Sequence, residues 1–380
     1  MTAATGGAGR QEQRNLAFDG LRGFAALAVM SSHLVASLGL LPFKTGGFIG
    51  VLVFFVLSGY LITSICWRGA ATRQAYVRFL RRRVQRLAGV LVGLVVVGVP
   101  VMVAWGGQEL ADALVSGALA LGQLTAFAVT AGVGEHPAWG PTWSLTVEWV
   151  FYLLMPIGII AFKRRRVSLP VARNVVAGVA AGLYLVGLLL PDKAFYLLPV
   201  ANLGVMAAGA SLALAHLNQG ATGDRRSPDP ARAAFALVFL TLFSLIPQGQ
   251  LGVGYQVVAV PSVTVATLVV LHGCREGAPI SRLLAARPLT AVGRRAYSLY
   301  LWHFMVFWIV WLRLRDSSQL VQASAMLAAT ALVVAVSFRF LERPWLNPGP
   351  DRRSRELARG VRVGSPVGVH VDDTRPASAP

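Results

Sequence analysis

The chain is 380 residues long, 55% hydrophobic and only 13% charged, yet its formal net charge is +19. That apolar fraction excludes a disordered basic tail, and so few charges cannot coat a soluble nucleic-acid-binding surface; no nucleic-acid partner is expected. What remains is a polytopic membrane protein, an all-α transmembrane helical bundle whose charge sits in loops and ends.

Residues 1–15 are polar and rich in Gly and Ala, and are expected to be disordered. They lack a charged n-region and cleavage site, so the first apolar segment is expected to be retained. Apolar stretches then recur at roughly 18–41, 48–66, 87–105, 110–131, 143–162, 172–190, 195–217, 232–247, 251–273, 296–312 and 320–341. Each is long enough, or nearly so, to cross a bilayer. Basic clusters fall in the loops 68–86, 163–173, 225–232 and 275–295 and again from Arg339 to Arg362. With a cytoplasmic N-terminus, crossing by all eleven stretches would strand every cluster after the first outside. One non-crossing segment between residues 87 and 142 returns them inside. The stretch 110–131 begins beside Glu109 and Asp112 and is rich in Ala and Gly, so it is the expected non-crossing or re-entrant helix. The expectation is therefore about ten spans in a bacterial plasma membrane, both termini cytoplasmic. The membrane domain covers 16–345, a polar, Pro/Gly/Ser-rich tail at 346–380 is expected to be disordered, and no soluble second domain is expected.

Ionisable residues inside spans are costly and mark candidate sites. Arg22 and His33 are eleven positions apart in FDGLRGFAALAVMSSHL. On a helix they share nearly one face, about 16 Å apart along the axis. Arg22 could hold a phosphate or other anion at the mouth while His33 works deep in the bundle. The plainer alternatives are a snorkelling arginine and a histidine that only hydrogen-bonds another helix. Glu148, a carboxylate among Trp143, Trp149, Phe151 and Tyr152, should either have a raised pKa or pair with a cation such as an arginine or imidazolium. Tyr297, Tyr300 and His303 fall at i, i+3 and i+6, a loose common face. Glu342 and Arg343, just before Pro344, read as a salt-bridged helix terminus. Ser58–Gly59 reads either as a close helix contact or as a local break lining a cavity. The run AYVRFLRRRVQRL fits positive-inside topology and anionic lipid, or docking of a polyanionic cofactor. His136, His216 and His272 receive no role. Cys66 and Cys274 read as buried thiols, and no spacing indicates a metal site.

Taken in order, DGLRGFAALAVMSSH, FFVLSGYLI, the arginine-rich 68–86 segment, TWSLTVEWVFYLL, SLYLWH and LERP resemble signatures of the acyltransferase-3 family of bacterial integral-membrane O-acyltransferases. The resemblance covers almost all of 16–345. It implies transfer of an acyl group from acyl-CoA, a co-substrate rather than a bound cofactor, to a hydroxyl of a sugar or glycoside. It implies His33 as the base, Glu148 as a residue that orients or charge-balances the site, and His303 as a ligand of the acceptor or carbonyl oxygen. Arg22, Arg78, Arg82 and Arg86 would hold the anionic donor, and Trp143, Tyr297 and Tyr300 the substrate. Trp149 stands where the family commonly has a second acidic residue, so a paired-carboxylate role is not implied. The favoured acceptor is a glycosylated natural product such as a macrolide antibiotic, to which a GC-rich, arginine-over-lysine composition leans. A cell-surface polysaccharide or lipid-linked sugar is the second reading, and a membrane transporter of a small molecule or lipid-linked sugar is the reading from another class. The hydrolase-like domain that some members carry is not expected here.

Overall fold

The computed structural model describes residues 15–39, 46–134, 137–222, 229–246, 252–274 and 279–346. His136, Lys44 and the segments expected to be disordered before Asn15 and after residue 346 lie outside the described residues. Within them the regular structure is helical throughout, an all-α bundle. Its helices are α1 Leu16–Ser37, α2 Phe48–Arg68, α3 Arg73–Gly106, α4 Leu110–Leu121, α5 Thr125–Thr130, α6 Trp143–Arg164, α7 Leu169–Gly187 and α8 Asp192–Leu197. There follow α9 Pro199–Thr222, α10 Pro230–Leu245, α11 Val260–Gly273, α12 Pro279–Leu284, α13 Arg287–Arg294, α14 Ala296–Leu314, α15 Gln319–Ser337 and α16 Arg343–Leu346. A 3-10 turn, Pro137–Thr142, leads into α6, and π-helical turns, Gly254–Ala259 and Phe338–Glu342, precede α11 and α16.

Among the described residues, eight helical segments are long and apolar enough to cross a membrane. They are Phe48–Arg68, Arg73–Gly106, Trp139–Arg164, Leu169–Gly187, Asp192–Thr222, Gly254–Gly273, Ala296–Leu314 and Gln319–Trp345. Helix α1 has the length, at 22 residues, but carries Asp19, Arg22 and His33. Helix α10 has 16 residues, about 24 Å of rise. The 110–131 stretch divides into α4, 12 residues, and α5, 6 residues, with Gln123 between them in the left-handed region at φ 59°. Neither piece reaches across a hydrocarbon core of about 30 Å, which agrees with its reading as non-crossing.

One expectation is corrected. Residues 68–86 are not all loop: Thr72 accepts a hydrogen bond from the Ala75 amide, and α3 then runs unbroken for 34 residues. The arginines of this segment therefore project from the first turns of a long helix, and helical phase decides where each points.

Helix α2 is the centre of the bundle, with α1, α6, α9 and α11 around it. It stays helical through Ser58–Gly59, which settles that pair as a contact rather than a break. A Cβ on Gly59 would lie 1.9 Å from the Met206 carbonyl oxygen of α9, and one on Gly209 2.0 Å from that of Val56. The two backbones touch, an approach only small residues permit. The outer helices turn apolar side chains outward, including Phe235 on α10 and Leu320 and Leu332 on α15, as a lipid-facing rim requires.

Candidate active site

The ends of α1, α2, α3, α6, α13, α14 and α15 gather at one pole of the bundle, the arginine-rich end. There α2 finishes at Arg68, α3 begins at Arg73, and Lys163 at the end of α6 donates to the Gly69 carbonyl at 2.6 Å. A cavity with room for about 190 Å³ of water-sized groups opens among these helices. Along α2 it is lined from Ile65 to Val51, about 21 Å of helix. Helix directions sort its lining into layers. Arg22, Arg83, Arg86 and Arg294 form the mouth; Ser58, Glu148, Tyr297 and Glu342 form a throat; Val51, Phe54, Ser144 and Tyr300 form the floor.

The mouth is where sequence reading and structure diverge most. Phe79, Arg83 and Arg86 follow i, i+4, i+7 on α3 and face the bundle, whereas Arg78 and Arg82 are exposed and do not line the cavity. The structure brings Arg86 to the site and replaces Arg78 and Arg82 with Arg83 and Arg294, because only one face of α3 turns inward. Arg83 lies over the rings of Phe79 and Tyr152 at 5.4 and 5.3 Å, a geometry that holds a guanidinium without neutralising it. Arg83, Arg86 and Arg294 make no hydrogen bond or ion pair with protein among the described residues. Arg22 is held differently, by Asp19 one turn away at 2.8 Å. Asp19 is 1% exposed and was not singled out from sequence, although its i, i+3 spacing to Arg22 was the available signal.

In the throat, Glu148 is satisfied by hydroxyls. Ser58 donates to Oε1 at 3.0 Å and Tyr152 to Oε2 at 2.6 Å, so the expected cation is not within ion-pair distance among the described residues. Glu342 also differs from expectation. The π turn at the end of α15 carries it inward to 1% exposure, where Ser298 donates to Oε2 at 2.6 Å and no described residue forms an ion pair with it. Tyr297 lines the cavity while its hydroxyl donates to the Leu87 carbonyl at 2.9 Å, tying α14 to α3.

At the floor, Tyr300 and Ser144 share a 2.8 Å hydrogen bond. The Ser144 proton is directed to the Pro141 carbonyl at 3.1 Å, so Tyr300 is the donor. Phe54 meets the Tyr300 ring edge-on at 6.0 Å. Trp143 does not line the cavity; it is buried against Phe55 and Tyr196, with ring centroids 6.0 and 4.8 Å away.

The two intramembrane histidines sit one helical turn beyond that floor and touch each other. His33 Nδ1 and His303 Nε2 are 2.8 Å apart, and the rings are parallel within 8° with centroids 5.1 Å apart. That separation is what two imidazoles have when they meet edge to edge through one hydrogen bond, not face to face. His303 Nδ1 lies 2.9 Å from the Leu299 carbonyl, which can only accept, so Nδ1 carries the proton. In the neutral pair His303 Nε2 is then the acceptor, His33 Nδ1 the donor, and the basic lone pair sits on His33 Nε2. Phe304 packs edge-on to His33 at 4.8 Å and Phe307 to His303 at 5.8 Å. His303 is 1% exposed with both nitrogens engaged. Its contacts join it to His33 and to the Leu299 carbonyl.

A second histidine pair lies outside the cavity lining: His216 Nε2 is 2.9 Å from His272 Nδ1, and Tyr60 hydrogen-bonds His216 Nδ1 at 3.0 Å. Cys274, just past α11, is buried and burial pushes its thiol up to about 12.

Two curated relatives are similar to the chain in sequence. The chain is 26% identical over 384 residues to "O-acetyltransferase OatA" of Staphylococcus aureus MRSA252, covering 91% of this chain and 60% of the relative. It is 26% identical over 356 residues to "Peptidoglycan O-acetyltransferase OatA" of Listeria monocytogenes, covering 86% and 55%. The chain thus spans little more than half the length of these relatives. No solved structure matches it. The family profile described as an acyltransferase domain matches residues 15–341, the stretch that contains the arginine mouth, the throat and the histidine pair, and the chain belongs to the acyltransferase-3 family.

Proposed function

We propose that the protein is a membrane O-acyltransferase that takes an acyl group from acyl-CoA and passes it to a sugar hydroxyl. The observation that carries this reading is the mouth: three guanidiniums without a hydrogen bond or ion pair to protein among the described residues line a cavity that leads toward a histidine whose tautomer is set by its partner. Unpaired arginines converging on a cavity are suited to phosphate oxygens, and coenzyme A presents several on a long arm. On this reading the arginine-rich end is cytoplasmic in a bacterial plasma membrane, with the donor entering there.

Chemistry follows from the tautomer. The acceptor hydroxyl oxygen attacks the thioester carbonyl carbon while His33 Nε2 takes the hydroxyl proton. A carbon–oxygen bond forms, the carbon–sulfur bond breaks, and the departing thiolate recovers the proton from the imidazolium. His303 stabilises that imidazolium through its Nε2 and keeps Nδ1 of His33 as the donor. His33 does not line the cavity and its partner His303 packs beside Tyr300, so the acyl group has to pass the Tyr300–Ser144 floor to reach it.

For the acceptor, the peptidoglycan activity named for the Listeria relative favours a cell-surface glycan over the glycosylated natural product to which composition leans. Mass spectrometry of muropeptides and of secreted glycosides from a deletion strain tests both. Loss of an acyl mass from the wall glycan supports the first, loss from a secreted glycoside the second. Unchanged spectra in both fractions contradict the assignment to a sugar hydroxyl. A transporter would leave the thioester of acetyl-CoA uncleaved by the purified protein.

A further inference from the structure

The cavity changes electrostatic sign along its length. Four guanidiniums stand at the mouth, two carboxylates in the throat, and an uncharged layer of Val51, Phe54, Ser144 and Tyr300 at the floor. The throat carboxylates do not neutralise the mouth arginines by direct pairing. Glu148 spends both oxygens on Ser58 and Tyr152. Glu342 accepts the Ser298 hydroxyl on Oε2 and interacts with the Ser298 backbone N–H, while Arg86 and Arg295 act on it electrostatically without forming an ion pair. A carboxylate at 1% exposure is costly to hold without a direct ion pair, and its place in the cavity lining leaves it able to take a further donor. The bulge that places it is a π turn, a local departure from α-helix that often accompanies a site.

We infer that Glu342, which lines the throat together with Glu148, is a recognition residue for the acyl donor: it accepts a hydrogen bond from an N–H of a neutral arm that separates the donor's phosphates from its acyl group. This rests on the acyl-CoA reading above and adds what that reading leaves open, how the donor is oriented and which donors are refused. Phosphates bind the arginines and are repelled by the carboxylates behind them, so the charged head stops at the mouth. A neutral arm bearing amide N–H groups passes the throat and offers Glu342 a further donor. A compact acyl phosphate carries its charge beside its acyl group and cannot bring that group to the floor without entering the carboxylate layer. The throat therefore selects amide-armed thioesters over acyl phosphates.

The test uses the purified full chain in lipid nanodiscs, with acetyl-CoA and an amide-free thioester, S-acetyl-2-mercaptoethanol, as donors. Glu342→Gln keeps the size and one acceptor but removes the charge. The expected result is a KM for acetyl-CoA raised about tenfold with kcat held, and a clearly smaller rise for the amide-free thioester. Ser298→Ala, which leaves the carboxylate but frees it, shifts KM the same way by less, and carries the test if Glu342→Gln fails to fold. An unchanged KM for acetyl-CoA, or equal losses with both donors, overturns the inference. Calorimetric titration with coenzyme A alone separates the two layers of argument. If the wild-type chain binds none, the donor reading falls and this inference with it. If wild type and Glu342→Gln bind it equally, only this inference falls.

Discussion

Removing the two histidines singly and together gives unequal and non-additive losses if His303 works through His33. His33→Ala deletes the base, worth about 10²–10⁴ in rate, or roughly 2.7–5.4 kcal/mol of barrier. His303→Ala leaves the base in place but takes the acceptor away from His33 Nδ1, 2.8 Å distant. A buried N–H without a partner costs about 1–3 kcal/mol, so kcat should fall roughly fivefold to 150-fold. Once His33 is gone, His303 has nothing to orient. The double variant should match His33→Ala within error, and the coupling energy should equal the whole His303 effect. His303→Gln, whose amide oxygen can accept from His33, should recover part of the loss. The assay is thiol release from acetyl-CoA in the presence of a sugar acceptor, with thermal melting of each variant as a folding control. Multiplying losses in the double variant would show that His303 touches the reacting groups itself. Full activity in His33→Ala would refute the base assignment.

Three further outcomes follow from the geometry. Arg83→Ala and Arg86→Ala should each raise the KM for acetyl-CoA by about tenfold to 150-fold, the worth of a charged hydrogen bond to phosphate, while Arg78→Ala and Arg82→Ala on the exposed face of α3 should change it little. Gly59→Ala forces a Cβ to within 1.9 Å of the Met206 carbonyl oxygen and should destabilise the α2–α9 contact by at least about 1–3 kcal/mol, read as a lowered Tm in detergent. Cys274, its thiol pushed up to about 12 by burial, stays protonated at pH 8 and should resist maleimide until the protein is denatured; rapid labelling of the native protein would contradict its placement.

Much of the bundle was legible because bilayer crossing is written in local composition. The α2, α6 and α14 spans begin where apolar runs begin, and α4–α5 was marked as non-crossing by charge bookkeeping together with its flanking Glu109 and Asp112 and its Ala/Gly content. The shared face of Arg22 and His33 was legible for a similar reason, since helical phase is a local property. What was not legible is contact between distant segments. His33 and His303 are 270 residues apart, and nothing in either motif indicates that one ring orients the other. The arginine run failed for an intermediate reason. Read as a loop, it has no phase; read as the start of α3, its Phe79–Arg83–Arg86 spacing selects the inward face. Glu342 was misread because a terminal Glu-Arg-Pro normally ends a helix in solvent, whereas here a π turn rotates the carboxylate into the bundle.

The central claim is that an acyl thioester enters at the arginine mouth and is broken with His33 as base. Proteoliposomes supplied with radiolabelled acetyl-CoA on the arginine-rich side, together with a sugar acceptor, test it directly. The account predicts label on the acceptor as an ester, one free thiol released per ester formed, and loss of both in His33→Ala. Intact acetyl-CoA with no thiol released, or a substrate carried across unaltered, would contradict it.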